Sequence, residues 1–291
     1  MNLTKEISAL LQLMEDPDDN VYTSVRLKLL SLGKEIIPEL EHLWETTDNS
    51  LIQERAEMLI HQLHVTEVKK ELLEWSDNQS DDLIAGLCVF NKYHFPDADS
   101  NIIIQKIEKL RRNIWLELNS YLTPLEQTNV LTGFLFHFCS FKKEPMDYQK
   151  PADFLLSKLL ESKSGNPFIM AILQQVLATL NDIPLHIIRI PDQYILAYCP
   201  QTHLNNQEEL SNNPSIFVDG GSGQIYSLQH IENYFNKNKI EFKSEYFTPL
   251  SNQEIIAWLI EEYANCFATD QYSYKYQELI SLAKEIKKEP E

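Results

Sequence analysis

The residues able to do chemistry in this chain are sparse. Its four cysteines, Cys88, Cys139, Cys199 and Cys266, include no CxxC pair. A thiol attacks a carbonyl carbon when a neighbouring base takes its proton, and histidine is the usual base. His186 in "IPLHIIRI" and Cys199 in "QYILAYC" offer such a couple. The two segments read as strands separated by Pro191 and Asp192. A short turn there sets His186 opposite residue 197, with Cys199 on the same face. That arrangement would suit an amide hydrolase or an acyl transferase. The competing reading is a buried thiol acting as a small apolar group, beside a histidine that packs or faces water.

Other groupings carry less. His61 and His64 stand at i, i+3 on one helix, but no nearby cysteine or second ligand pair completes a metal site, so a solvent-facing helix surface is expected and no metal. "DGGSGQ" is glycine-rich but lies between two strands, which makes it a hairpin turn and not a phosphate loop. "PDADS" lacks the glycine and distal glutamate of a calcium loop. No cofactor is expected. The aromatic run "FLFHFCSF" reads as core; an exposed version would be a partner site. "KLRRN" reads as a solvated helix face.

The elements that must position these residues follow from periodicity. In "DDNVYTSVRLKLLSLG" and "TDNSLIQERAEMLIHQL", Val21, Val25, Leu29 and Leu32 match Ile52, Ala56, Ile60 and Leu63 at an offset of 31 residues. Each set is one apolar stripe on a helix. Paired helices of this period resemble HEAT-type repeats, each pair needing its neighbour to cover its stripe. Helical spacing continues to Phe141. Thr123, Pro124 and Glu126 form a capping box with proline at the first helical position, and Ser251 with Glu254 forms another. After Asn181 the period shortens: "IPLHIIRI", "QYILAYC" and "SIFVDGGSGQIYSL" are strand-rich, with the polar loop "PQTHLNNQEELSNNP" between the second and third. Helices close the chain. The order is an α+β pattern. The expected segments are helical repeats over 1–65, a helical region over 66–145, an α+β core over 146–245 and a helical pair over 246–291.

"SKSGNPFIMAILQQVLATL" holds the central helix. Asn166 is a strong N-cap and Pro167 suits the first helical position. The helix is apolar on most faces, so it is buried. With "NDIPLHIIRIPDQYILAY" and "IFVDGGSGQIYSL" after it, this stretch is similar in order and spacing to the transglutaminase-like superfamily, and closest to its bacterial SirB branch. The resemblance takes in the helices from "DDLIAGLCVFNKYHFPDAD" to "FLFHFCSF", roughly residues 80 to 230. It implies a transglutaminase-like (cysteine-protease-like) core with a small antiparallel sheet, flanked by N-terminal repeats and C-terminal helices. It also implies a triad: a nucleophilic Cys opening the central helix, a base His after Pro191 and an orienting Asp on the next strand. This chain has Pro167, Gln193 and Asp219 there, and the SirB branch also tends to carry Pro at the first. Proline has no nucleophile, and glutamine exchanges no proton near neutral pH. Losing the nucleophile of such a triad costs about a millionfold in turnover. The expected outcome is a pseudoenzyme whose pocket around Asn166, Gln193 and Asp219 either binds a peptide or a small polar ligand or is vestigial.

Composition bounds the partners. Net charge is -18, which repels phosphate backbones, so no nucleic acid is expected. No apolar run is long enough to span a bilayer, and the start lacks the basic region of a signal peptide. Scattered cysteines in a chain of this length read as reduced thiols, hence a cytoplasmic protein. A protein or peptide partner is expected, with the flanking helices supplying part of its surface.

Overall fold

The computed structural model describes residues 2–200, 214–269 and 273–287. The polar loop expected over residues 200–214 therefore lies almost wholly outside the described residues. The chain divides into two units, one up to Leu72 and one from Leu73 onward.

The first unit holds α1 (Asn2–Gln12), α2 (Asp19–Ser31), α3 (Ile37–Thr46) and the first part of α4 (Ser50–Asn78). Position 65, the expected end of the repeats, falls inside α4. Asp18 caps α2 by accepting from the Asn20 N–H, and Gly33, at φ +70°, ends that helical stretch as the sequence requires. Val25, Leu29, Ala56 and Leu63 of the two stripes lie in one core with Met14, Leu40 and Leu59, and Val21, Leu32 and Ile60 pack against it. Arg55 is buried in the same unit. Its guanidinium donates to the carbonyls of Met14 and Asp16 at 2.7 and 2.9 Å and lies over the Tyr22 ring, so the buried cation is satisfied.

The second unit is built around one helix. α5 (Leu83–His94), α6 (Ser100–Glu117) and α7 (Pro124–Thr132) come first. Asp99 of "PDADS" caps α6, accepting from the Asn101 N–H. The Thr123–Glu126 capping box forms as expected. α7 then widens into a π-helical turn over Gly133–Phe138, which the sequence pattern did not announce. The two-residue strand β1 (Lys142–Lys143) pairs in parallel with β2 (Ser164–Gly165), and α8 (Leu156–Ser162) lies between them. β2 leads directly into the central helix α9 (Pro167–Thr179), whose residues Phe168 to Ala178 are all buried.

Four antiparallel strands follow, in the order β3 (Leu185–Ile188), β4 (Ile195–Tyr198), β5 (Phe217–Asp219) and β6 (Ile225–Tyr226). Leu185, Ile187, Leu196 and Val218 alternate onto the face that packs on α9. Ile188, Ile195, Ala197, Cys199 and Phe217 take the other face. They pack with Ile231 and Phe235 of α10 (Leu228–Asn238) and with Phe247. The fold closes with α11 (Asn252–Ala264), opened by the Ser251–Glu254 capping box, and α12 (Ser273–Lys287). Among the described residues there are twelve α-helices, and none is long and apolar enough to cross a membrane.

Candidate functional site

The start of α9 is fixed by its cap. Asn166 is 1 % exposed, and its Oδ1 accepts from the N–H groups of Phe168 and Ile169 at 3.0 and 2.9 Å. Its Nδ2 donates to the Asp153 carbonyl at 3.1 Å. The side chain is thus fully committed to starting the helix and tying it to the preceding turn. Pro167 follows at the first helical position, where its missing N–H has no intrahelical partner to lose.

The turn after β5 lies directly on this helix start. Gly220 donates its N–H to the Tyr194 carbonyl at 2.8 Å. A Cβ at Gly220 would fall 2.5 Å from the Ala171 Cβ, 2.8 Å from the Tyr194 oxygen and 2.9 Å from the Pro167 oxygen. Only glycine admits that approach. The backbone at Pro167, next to Gln193 and next to Asp219 therefore meets at one point. From inside α9, Gln174, fully buried, donates to the Gly220 carbonyl at 2.6 Å, and Gln175 accepts from the Ile187 N–H at 2.7 Å. These two glutamines lock the helix to the sheet.

Three backbone positions converge, but their side chains go separate ways. Gln193 donates to the Tyr234 hydroxyl at 3.3 Å, and Tyr234 donates onward to the Pro191 carbonyl. Asp219 accepts from the backbone N–H and the hydroxyl of Ser222, both at 2.7 Å. Its other neighbour is Lys143 of β1, whose ammonium stands 3.8 Å from the carboxylate while its stem crosses Gly221. With Asn166 turned into its cap, the point of convergence is bordered by Pro167, the Asp219–Ser222 turn and Lys143.

A model of the transglutaminase-like superfamily matches residues 101–261, more than half of the sequence. The chain belongs to the transglutaminase-like superfamily. Its mostly helical structure with a four-stranded antiparallel sheet is consistent with an α+β transglutaminase-like domain. The matched region starts in α6 and runs into α11, so it begins later and ends later than the residues 80 to 230 read from the sequence. No curated protein and no solved structure matches the chain.

Within this transglutaminase-like domain, the second sequence candidate has a clear geometry. β3 and β4 pair His186 with Ala197, the register a short turn demands. Asp192 enters that turn at φ +57°, and Gln193 donates to the Ile190 carbonyl. Cys199 and His186 thus share a face, and that face packs on α10. Cys199 is 7 % exposed, and burial pushes its thiol up to about 12. Burial also lowers the pKa of His186. No hydrogen bond joins the two side chains among the described residues.

Two features of the site were not legible in the sequence. Lys143 sits in a loop-like stretch with no local signal; only the parallel pairing of β1 with β2 brings it to Asp219. The second feature flanks the helix start. Tyr194 stacks on Phe168 and Trp258 with ring centroids 5.0 and 5.3 Å apart. The Glu262 carboxylate accepts from the hydroxyls of Tyr148 and Tyr194 and from the Trp258 Nε1–H at 2.8, 3.0 and 3.1 Å. Trp258 and Glu262 are i, i+4 on α11, a spacing visible in the sequence. The tyrosines that complete the group come from distant segments.

Proposed function

We propose that this chain is a non-catalytic member of the SirB branch that has lost the Cys and His of the triad. Its site at the start of α9 binds a peptide or a small polar ligand. The reading is carried by Pro167 at the first position of α9, where the family resemblance implies the nucleophile. Gln193 in place of the base supports it, as does an Asp219 already engaged by Ser222 and Lys143. Asn166 contributes by placing the helix, Gln193 and Asp219 by contact with the ligand. The N-terminal helices, read as HEAT-like repeats, belong to the same proposal as a partner-binding surface. The buried Cys199, its thiol raised far above neutral pH, weighs against a Cys199–His186 hydrolase or transferase.

The test has two arms. A peptide array probed with the intact chain yields binders, and Gln193→Ala or Asp219→Ala weakens them by about tenfold or more. A panel of acyl esters and amides meets no turnover that depends on a cysteine. Binding indifferent to both substitutions, or hydrolysis abolished by Cys199→Ala, overturns the proposal.

A further inference from the structure

The aromatic run "FLFHFCSF" is only partly core. Leu135 and Phe141 are buried, and the Phe136 ring covers Gly223 in the turn after Asp219. Phe138, at the end of the π-helical turn, is 77 % exposed, and its ring stacks on Phe134 with centroids 5.2 Å apart. A large aromatic left in water beside a second ring is the kind of surface that contacts something.

The surroundings have an unexpected sign. Lys163 and Lys109 lie close enough to Cys139, the residue after Phe138, to act electrostatically on its thiol, although burial outweighs them. The Lys142 N–H donates to the Lys163 carbonyl at 2.9 Å. All three lysines are exposed, and none has an ion pair among the described residues. Two nearby acids are ion-paired, Glu108 with Arg111 and Arg112 and Glu161 with Lys158, while Glu144, two residues after Lys142, accepts from the Ser164 hydroxyl. In a chain of 43 acidic and 25 basic residues, this gathers three lysines around the exposed Phe138 ring and its half-buried neighbour Phe134.

We propose that this patch docks an acidic peptide segment of a protein partner. An aromatic or large aliphatic side chain of that segment lies on the Phe134–Phe138 pair, and its carboxylates meet Lys109, Lys142 and Lys163. Interfaces commonly centre on such an aromatic anchor with a charged rim. Nucleic acid and anionic membranes are disfavoured partners, because they present their charge to the whole acidic chain. Phe138, Lys109 and Lys163 are not among the residues assigned to the ligand site at α9, so their variants test this patch by residues of its own.

The experiment measures anisotropy of a short fluorescent peptide alternating glutamate with phenylalanine and leucine, titrated with the full chain. Controls replace the apolar residues by serine or the glutamates by lysine. Vesicles of phosphatidylserine with phosphatidylcholine and a single-stranded oligonucleotide serve as competitors. The acidic apolar peptide binds, and Phe138→Ser or the pair Lys109→Glu and Lys163→Glu each weakens it by about tenfold or more. These residues are exposed, so circular dichroism of the variants stays unchanged. Equal binding of the serine control, binding indifferent to the variants, no binding at all, or displacement by vesicles or oligonucleotide overturns the proposal.

Discussion

The Gln174 amide donates to the Gly220 carbonyl at 2.6 Å, joining the middle of α9 to the turn that follows Asp219. This contact and the bare Cα of Gly220 hold the site together. Gly220→Ala drives a methyl group into the Ala171 Cβ and two carbonyl oxygens, and overpacking of this kind costs about 1–3 kcal/mol. Gln174→Leu leaves the buried Gly220 carbonyl without its donor, at about 1–3 kcal/mol. Because both act on one contact, the double variant loses less than the sum. Urea denaturation measures all three, and additive losses would show that the turn and the helix are not coupled.

The cap of α9 supports a second expectation. Asn166→Ala removes the acceptor for Phe168 and Ile169 and costs about 0.5–2 kcal/mol from the cap alone. Asn166→Ser keeps a capping oxygen but loses the bond to the Asp153 carbonyl. It therefore falls between wild type and Asn166→Ala in thermal denaturation. A serine variant no better than alanine would mean that the Asp153 bond, and not the cap, is what Asn166 supplies.

Much of this framework is local and so was readable in advance. The Asn166–Pro167 start, both threonine- and serine-led capping boxes and the hairpin around Asp192 each depend on neighbouring residues alone. So did the stripe pattern of the first unit, because helix period and burial are the same signal. What escaped depends on contacts distant in sequence. Lys143 reaches Asp219 through a parallel pairing of two-residue strands, too short to leave a periodic trace. Glu262 gathers donors from three segments. The π-helical turn is one extra residue in a helical run, and Phe138 at its end is exposed in a stretch whose composition says core.

The thiols predict alkaline behaviour. Burial pushes Cys199 and Cys266 up to about 12, above the ordinary 9.0. In the unfolded chain these thiols lose their protons near 9.0, while in the folded chain they keep them. The stability they contribute is therefore complete below pH 9 and is lost as pH rises from there toward 12. Denaturation midpoints fall over that window, and Cys199→Ala flattens part of the fall. Alkylation at pH 8 is slow at both positions; fast modification of Cys199 at that pH would return the Cys199–His186 reading to contention.

Glu262 offers the most direct probe of how the hairpin is held beside α9. Its carboxylate accepts from Tyr148, Tyr194 and Trp258, and Tyr194 is the residue after Gln193. Tyr148 is pushed up to about 12, first by burial, then by its hydrogen bond to Glu262 and that group's charge. Tyr194 is raised in the same way. Glu262→Gln removes the charge and leaves burial in place, so both tyrosines ionise at lower pH than in wild type, though still above 10. Spectrophotometric titration of tyrosinate reads this directly. Glu262→Ala goes further, leaving three donors with no acceptor. The Tyr194 and Trp258 donors, partly shielded from water, cost stability when left without a partner, whereas the exposed Tyr148 hydroxyl turns to solvent, so this variant unfolds at lower urea than Glu262→Gln. If the titrations of wild type and Glu262→Gln superimpose, Glu262 does not hold the tyrosines. The position of Gln193 would then rest on Tyr234 and the Asp192 turn alone.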